Sequence, residues 1–150
     1  MKTAGYYDLT AIKSDDLVAG REFPLVGQTN VGHFFKKNQE VILSPNSEVE
    51  MVPSKFEKIE VENEGIKLQN SGAYVIEKQF SVGDYEASLS GVATDTSGVQ
   101  IIIETLSGKV KQEVSLLNDV DKINLTVSKN TFLRVKKGLN RELRVMLKKK

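Results

Sequence analysis

Cysteine is missing from this chain, which excludes disulfides, thiol chemistry and zinc-thiolate sites. Tryptophan is missing too, and with it the usual platform of a sugar-binding face. No run of about 18 apolar residues occurs, so no membrane-spanning helix is expected. The formal net charge is only +1, too little to leave an electrostatic footprint for nucleic acid. The glycines stand singly in turn-like settings and form neither a phosphate loop nor a dinucleotide fingerprint. Histidine occurs once, as His33. A Ser-His-Asp triad would need it as base. It sits beside Phe34 and Phe35, where a packed or surface role is expected, and Ser44-Pro45 is not a strand-to-helix elbow. No catalytic residue, metal or cofactor is therefore expected. Met1 to Tyr6 lacks the apolar core of a signal peptide, so synthesis in a cytoplasm without export by that route is expected.

What is present is a chain of 150 residues, 39% hydrophobic and 27% charged, enough for one domain with a substantial core. Its organisation is clearest from Gly65 to Ala87. A short strand, Ile66 to Leu68, leads to a turn at Asn70-Ser71-Gly72, and then to a strand in which Tyr74, Ile76 and Phe80 share a face. The same grammar recurs from Gln39 onward. Strands are expected over Glu40 to Leu43, Glu48 to Val52, Phe56 to Glu62, Ala73 to Phe80 and Tyr85 to Thr94, with Tyr85, Ala87, Leu89 and Gly91 inward. A hairpin turn at Asp95-Thr96-Ser97-Gly98 precedes Val99, Ile101 and Ile103, which face one side. Val110, Gln112, Val114 and Leu116 follow, then Ile123, Leu125 and Val127, then Phe132 to Val135, then Leu143, Val145 and Leu147. Lys109 to Leu117 also fits a helical stripe, but its turn-rich flanks and short length favour a strand. Short strands at roughly 8 to 12 residue spacing predict an all-β, antiparallel sandwich or barrel.

Residues 1–38 break that pattern. Glycines and Pro24 punctuate them, and Ser14 caps at most one helical turn over 14–20. Tyr6, Tyr7, Leu9, Ile12, Phe23, Leu25, Val26, Val31, Phe34 and Phe35 are nonetheless too apolar for a solvated linker. The segment is read as an extended arm that lies either on its own domain or on a partner. In the second case Tyr6, Tyr7, Phe23, Leu25, Phe34 and Phe35 are the docking residues. The division is thus 1–38 as arm and 39–150 as sandwich.

Three charged clusters need weighing. Glu57, Glu60, Glu62 and Glu64 alternate with Phe56, Ile59 and Val61, as on the solvated face of an amphipathic strand. Asn118, Asp119 and Asp121 could help hold calcium, but the ligand count and glycine of a dedicated loop are missing, so a plain turn is favoured. Lys136, Lys137, Arg141, Arg144 and Lys148 to Lys150 read as a solvated edge strand guarded by lysines. The alternatives are contact with an acidic surface or with the Glu57 to Glu64 edge of a neighbouring copy. Nucleic acid is disfavoured because only Phe132 is near to stack a base.

Gly65 to Ile76, the Tyr85 to Glu104 hairpin, the acidic turn Asn118 to Asp121 leading into Ile123 to Val127, and the closing strand Leu143 to Leu147 together resemble the trimeric jelly roll of the tumour-necrosis-factor and complement globular-head type. That resemblance implies a homotrimer with binding surfaces on loops and no catalysis, its Leu125 and Val127 strand entering the trimer axis. With an apolar N-terminal arm it looks like an accessory virion protein of a tailed bacteriophage: a head fibre, capsid decoration or tail adaptor that is made in the host cytoplasm and docks on other virion proteins through residues 1–38. Ile101, Ile102 and Ile103 offer apolar side chains to both faces of their strand, and a symmetric partner is one way to cover the outer face. Ile101, Ile102, Ile103, Leu125 and Val127 are accordingly the expected oligomer interface. The runner-up is a carbohydrate-binding or adhesin-type sandwich. Neither nucleic acid nor membrane is an expected partner.

Overall fold

The computed structural model describes residues 4–13, 27–40, 47–62, 65–91, 98–137, 140 and 142–150. The turn capped by Ser14, most of the strand expected over Glu40 to Leu43 and the Asp95-Thr96-Ser97 turn lie outside them. Among the described residues every regular element is a strand, as the alternation predicts, and none is helical. The chain divides into two compact units, Met1–Lys55 and Phe56–Lys150.

In the first unit, β1 (Gly5–Lys13), β2 (Thr29–Phe35) and β3 (Glu48–Pro53) form an antiparallel sheet in the order β3-β1-β2. The sequence reading placed residues 48–52 with the sandwich. They pair instead with β1, from Tyr7 opposite Pro53 to Lys13 opposite Glu48, so the division falls after Lys55 rather than after residue 38. Residues 5–13 and 29–35, both within the expected arm, pair with each other as antiparallel strands.

The second unit holds β4 (Ile66–Leu68), β5 (Ser71–Val75), β6 (Gly83–Ser90), β7 (Val99–Thr105), β8 (Val110–Leu116), β9 (Ile123–Val127), β10 (Thr131–Lys136) and β11 (Arg144–Lys149). They form two antiparallel runs, β4-β11-β6-β9 and β5-β10-β7-β8. Of the connections between consecutive strands only β7 to β8 stays within one run. Period-two alternation sends Ile66, Leu68, Tyr85, Ala87, Leu89, Leu125, Val127, Val145 and Leu147 to the inner side of the first run. From the second run come Tyr74, Val99, Ile101, Ile103, Leu116, Leu133 and Val135. All are nearly or fully buried, and the result is a two-layer β-sandwich.

The structure differs from the sequence pattern at four places. Phe56 to Glu62 is not a strand: Phe56 turns the backbone at φ 49, Val61 is 71% exposed, and the chain is tied down by an Ile59 N–H donating to the Gln79 carbonyl at 2.8 Å. The strand expected over Ala73 to Phe80 stops at Val75. Glu77, at φ 75, folds the chain back so that the Gln79 carboxamide accepts from Val75 N–H at 2.8 Å. Tyr74, Ile76 and Phe80 are all buried even so. Residues 85–104 do not make a hairpin, because β6 and β7 lie in different runs and the connection crosses between layers. Finally, the basic strand β11 is not an edge: it pairs with β4 on one side and β6 on the other, with Arg144 and Lys148 on the face opposite Val145 and Leu147.

Gly98 shows how tightly a neighbouring strand of the same layer constrains the backbone. It has φ 72, and a Cβ built there would meet the Leu116 carbonyl oxygen at 2.3 Å. Gly108, in the β7–β8 turn, has φ 95 but nothing within 4 Å. Gly108→Ala should therefore lower the unfolding free energy by about 1 to 2 kcal/mol, the cost of left-handed backbone alone. Gly98→Ala should cost at least about twice that, because the end of β8 must shift as well. Urea unfolding of the two variants checks the order; equal losses would show that the close approach is not felt.

Candidate docking face

The first unit owes its two chemically different faces to a bulge. Tyr7 opposes His33 and Leu9 opposes Asn30, so Asp8 on β1 faces two residues, Val31 and Gly32, on β2. Gly32 has φ 65, and its N–H, which the bulge removes from the ladder, donates to Asp8 Oδ1 at 3.0 Å. The same oxygen accepts from Ser54 Oγ at 2.5 Å just beyond β3, so one carboxylate ties all three strands.

On one face lie Leu9, Ala11 and Phe35, all at most 2% exposed, with Tyr7 and His33 packed around them. The Phe35 ring stands 5.9 Å from Tyr7, edge to face, and 4.6 Å from His33. His33 is thus a packed side chain, the role its neighbours suggested. On the opposite face Tyr6 pairs with Phe34, ring centroids 5.0 Å apart and tilted by 50°. Phe34 is 43% exposed, and Val52, opposite Asp8 on β3, is 44% exposed. Ile12 continues the face at 49% exposure, and Thr10 hydrogen-bonds Thr29 across it at 2.9 Å. Asp8 and Glu50 make it acidic as well as aromatic.

Of the residues expected to dock, Tyr6 and Phe34 therefore share an exposed face, Tyr7 and Phe35 line the buried one, and Phe23 and Leu25 lie outside the described residues. The sequence reading missed Val52, because it assigned β3 to the other unit.

The expected interface residues separate in the same manner. Ile101, Ile103, Leu125 and Val127 are each at most 2% exposed and fill the sandwich's own core, so they present nothing to a partner. Ile102 points to the outer face of β7 and is 9% exposed. Arg134 and Glu113 stand opposite it, and an Arg134–Glu104 ion pair and a Gln100–Glu113 hydrogen bond run alongside.

One end of the sandwich gathers four connections. Lys137, 4% exposed, donates from Nζ to the Gln69 carbonyl at 2.7 Å, and buried Asn140 donates from Nδ2 to the Gly98 carbonyl at 3.1 Å. In the β8–β9 loop Asp121 Oδ2 accepts from Leu117 N–H at 2.8 Å, and Asn118 Oδ1 accepts from Val120 N–H at 3.0 Å and Asp121 N–H at 3.1 Å. These oxygens cap backbone N–H groups of their own turn. The turn exposes Leu117 by 54% and Val120 by 76%. Among the described residues no three His, Asp or Glu side chains come together as a metal site.

Compared with protein-family models, curated proteins and solved structures, the chain matches none of them.

Burial, and secondarily the Arg144 guanidinium, push the Lys137 ammonium below its ordinary pKa of 10.5, while Glu142 opposes them. A lysine whose folded pKa is lowered costs stability while both states are protonated. That cost is relieved as pH rises through the lowered value, where the unfolded chain still binds the proton that the folded one has released. The unfolding free energy of the wild type relative to Lys137→Met should therefore increase as pH climbs towards 10.5. Paired denaturant titrations across that window give the sign directly, and a decrease would contradict the burial of the ammonium.

Proposed function

We propose that this protein is a non-enzymatic attachment protein of a larger assembly, docking through the face that carries Tyr6, Phe34, Val52 and Ile12. The observation behind this reading is that the face is at once ordered and apolar. A bulge capped by Asp8 holds an aromatic pair and two aliphatic side chains in water on a sheet whose other side is buried. Aromatic anchors of this kind, held in place before contact, lose little conformational freedom on binding.

The sandwich supplies the second half of the proposal. Its strand orders, β4-β11-β6-β9 and β5-β10-β7-β8, are consistent with a jelly roll, in which the chain alternates between two four-stranded layers. By the resemblance described above such a head is trimeric, and the assembly is a bacteriophage particle on which the protein serves as head fibre, decoration or tail adaptor. Self-association is assigned to the outer face of β10-β7-β8 around Ile102, since Ile101, Ile103, Leu125 and Val127 are occupied in the core. A glycan is the second reading. The exposed Tyr6–Phe34 pair beside the carboxylates of Asp8 and Glu50 favours it, because a sugar stacks on an aromatic ring and hydrogen-bonds to a neighbouring carboxylate.

Light scattering of the full chain should give the mass of a trimer, with Ile102→Lys shifted towards monomer and Phe34→Lys unchanged. A monomeric wild type overturns the trimeric half. For docking, producing cells fractionated on a density gradient should carry the wild type in a large particle and Phe34→Lys in the light fractions. If Phe34→Lys sediments as the wild type does, the face is not what attaches. Resonance shifts of Tyr6 and Phe34 on adding simple sugars, with no particle-bound fraction, would favour the glycan reading instead.

A further inference from the structure

β8 and β9 are the last strands of their respective runs, and each has an edge without a neighbouring strand in its own run. Such an edge is a row of backbone donors and acceptors that invites a strand from another chain. On β8 the neighbours are charged: Lys109, Lys111 and Glu113. On β9 a different device operates. Gln112 occupies an inward position of β8, in line with Val114 and Leu116 and opposite Ile103, where the alternation calls for an apolar side chain. Its carboxamide crosses to the other layer. Nε2 donates to the Asn124 carbonyl at 3.0 Å, and Oε1 accepts from Thr126 N–H at 3.4 Å. β6 takes the other side of β9, through pairs running from Gly83 opposite Val127 to Ala87 opposite Ile123.

The carbonyl before Leu125 and the N–H after it are the two groups that one residue of a parallel neighbouring strand would take. A primary amide carries the same donor and acceptor as a peptide group. We propose that the Gln112 side chain stands in for that missing residue and guards the edge of β9 against a strand from a second copy of this chain. Two of the central ladder groups of a five-residue strand are then spoken for, and an incoming chain must first displace them. Gln112 is only half-buried, and an amide at this inward position costs little because both of its ends are bonded. This inference is independent of the docking face.

Gln112→Leu keeps the side chain's bulk and removes both bonds. Native-state hydrogen exchange should show the Thr126 amide exchanging roughly fivefold to tenfold faster, the loss of one modest hydrogen bond. Light scattering at rising concentration should show a mass above the wild type's. Thr126→Pro added to Gln112→Leu removes the donor on the open edge, a position where an edge strand tolerates proline, and should return the mass to the wild-type value. Gln112→Asn, too short to reach both groups, should behave as Gln112→Leu does and decides the matter if the leucine variant does not fold. Unchanged mass together with unchanged Thr126 exchange in a folded variant overturns the guard. So does association that Thr126→Pro fails to reverse.

Discussion

Ile101, Ile103, Leu133 and Leu147 meet between the two layers because side chains on a strand alternate with a period of two. Each such burial contributes about 1.5 to 3 kcal/mol relative to exposure. A slip of one residue in β7 would exchange Val99, Ile101 and Ile103 for Gln100, Ile102 and Glu104, forcing a carboxylate into an apolar layer. The register is therefore set by the difference between an isoleucine and a glutamate at one position, far more than by any surface ion pair. Other features follow from holding it: the close pass of Gly98 by Leu116, the turn that brings the Phe80 ring edge to face with Tyr85, and the amide that Gln112 sends across the layers.

The sheet formed by β1, β2 and β3 obeys the same alternation, with register shifts between β1 and β2 at Asp8 and between β1 and β3 at Ile12. Without the extra residue at Gly32, the two ends of β2 could not both keep their partners on β1. With it, Phe35 stays on the buried face, Phe34 remains beside Tyr6, and Thr29 still reaches Thr10. The bulge costs a ladder hydrogen bond, and the Asp8 carboxylate offsets it. Its second bond, from Ser54, fixes where the chain leaves β3.

How much of this could be read from the residues alone differs along the chain. From Ile66 to Leu147 the alternation was legible because both layers are antiparallel and each strand has one buried face, so inward sets such as Tyr85, Ala87 and Leu89 could be named. Layer assignment was not legible. A glycine-bearing turn looks the same in a hairpin as in a crossover, which is why residues 85–104 read as a hairpin. Phe56 to Glu62 alternates convincingly, yet alternation says nothing about whether a neighbour exists to pair with, and none of these residues belongs to a strand. In the N-terminal unit the extra residue at Val31 and Gly32 cuts the period of β2, so Thr29 to Phe35 looks aperiodic. The aromatics drew attention to the right segment, but which of them face out depends on pairings remote in sequence. Of the three consecutive isoleucines, Ile101 and Ile103 turn into the core and Ile102 faces outward beside Arg134 and Glu113, a division that depends on which layer covers β7.

The position of β11 has a consequence for how the molecule comes into being. It lies between β4 and β6, so Ile66 to Leu68 finds its partner only in Val145 to Leu147. Until that stretch has left the ribosome, β4 has no strand beside it and β6 has only β9. Closing so long a loop carries an entropic cost that favours late assembly. The apolar inner sides of both strands must stay in solution meanwhile, and lysines at the end of β11 keep the arriving segment hydrated. The nascent sandwich is thus a wedge that stays open until β11 arrives, which makes synthesis, rather than the finished fold, the stage at which this chain is most exposed to aggregation.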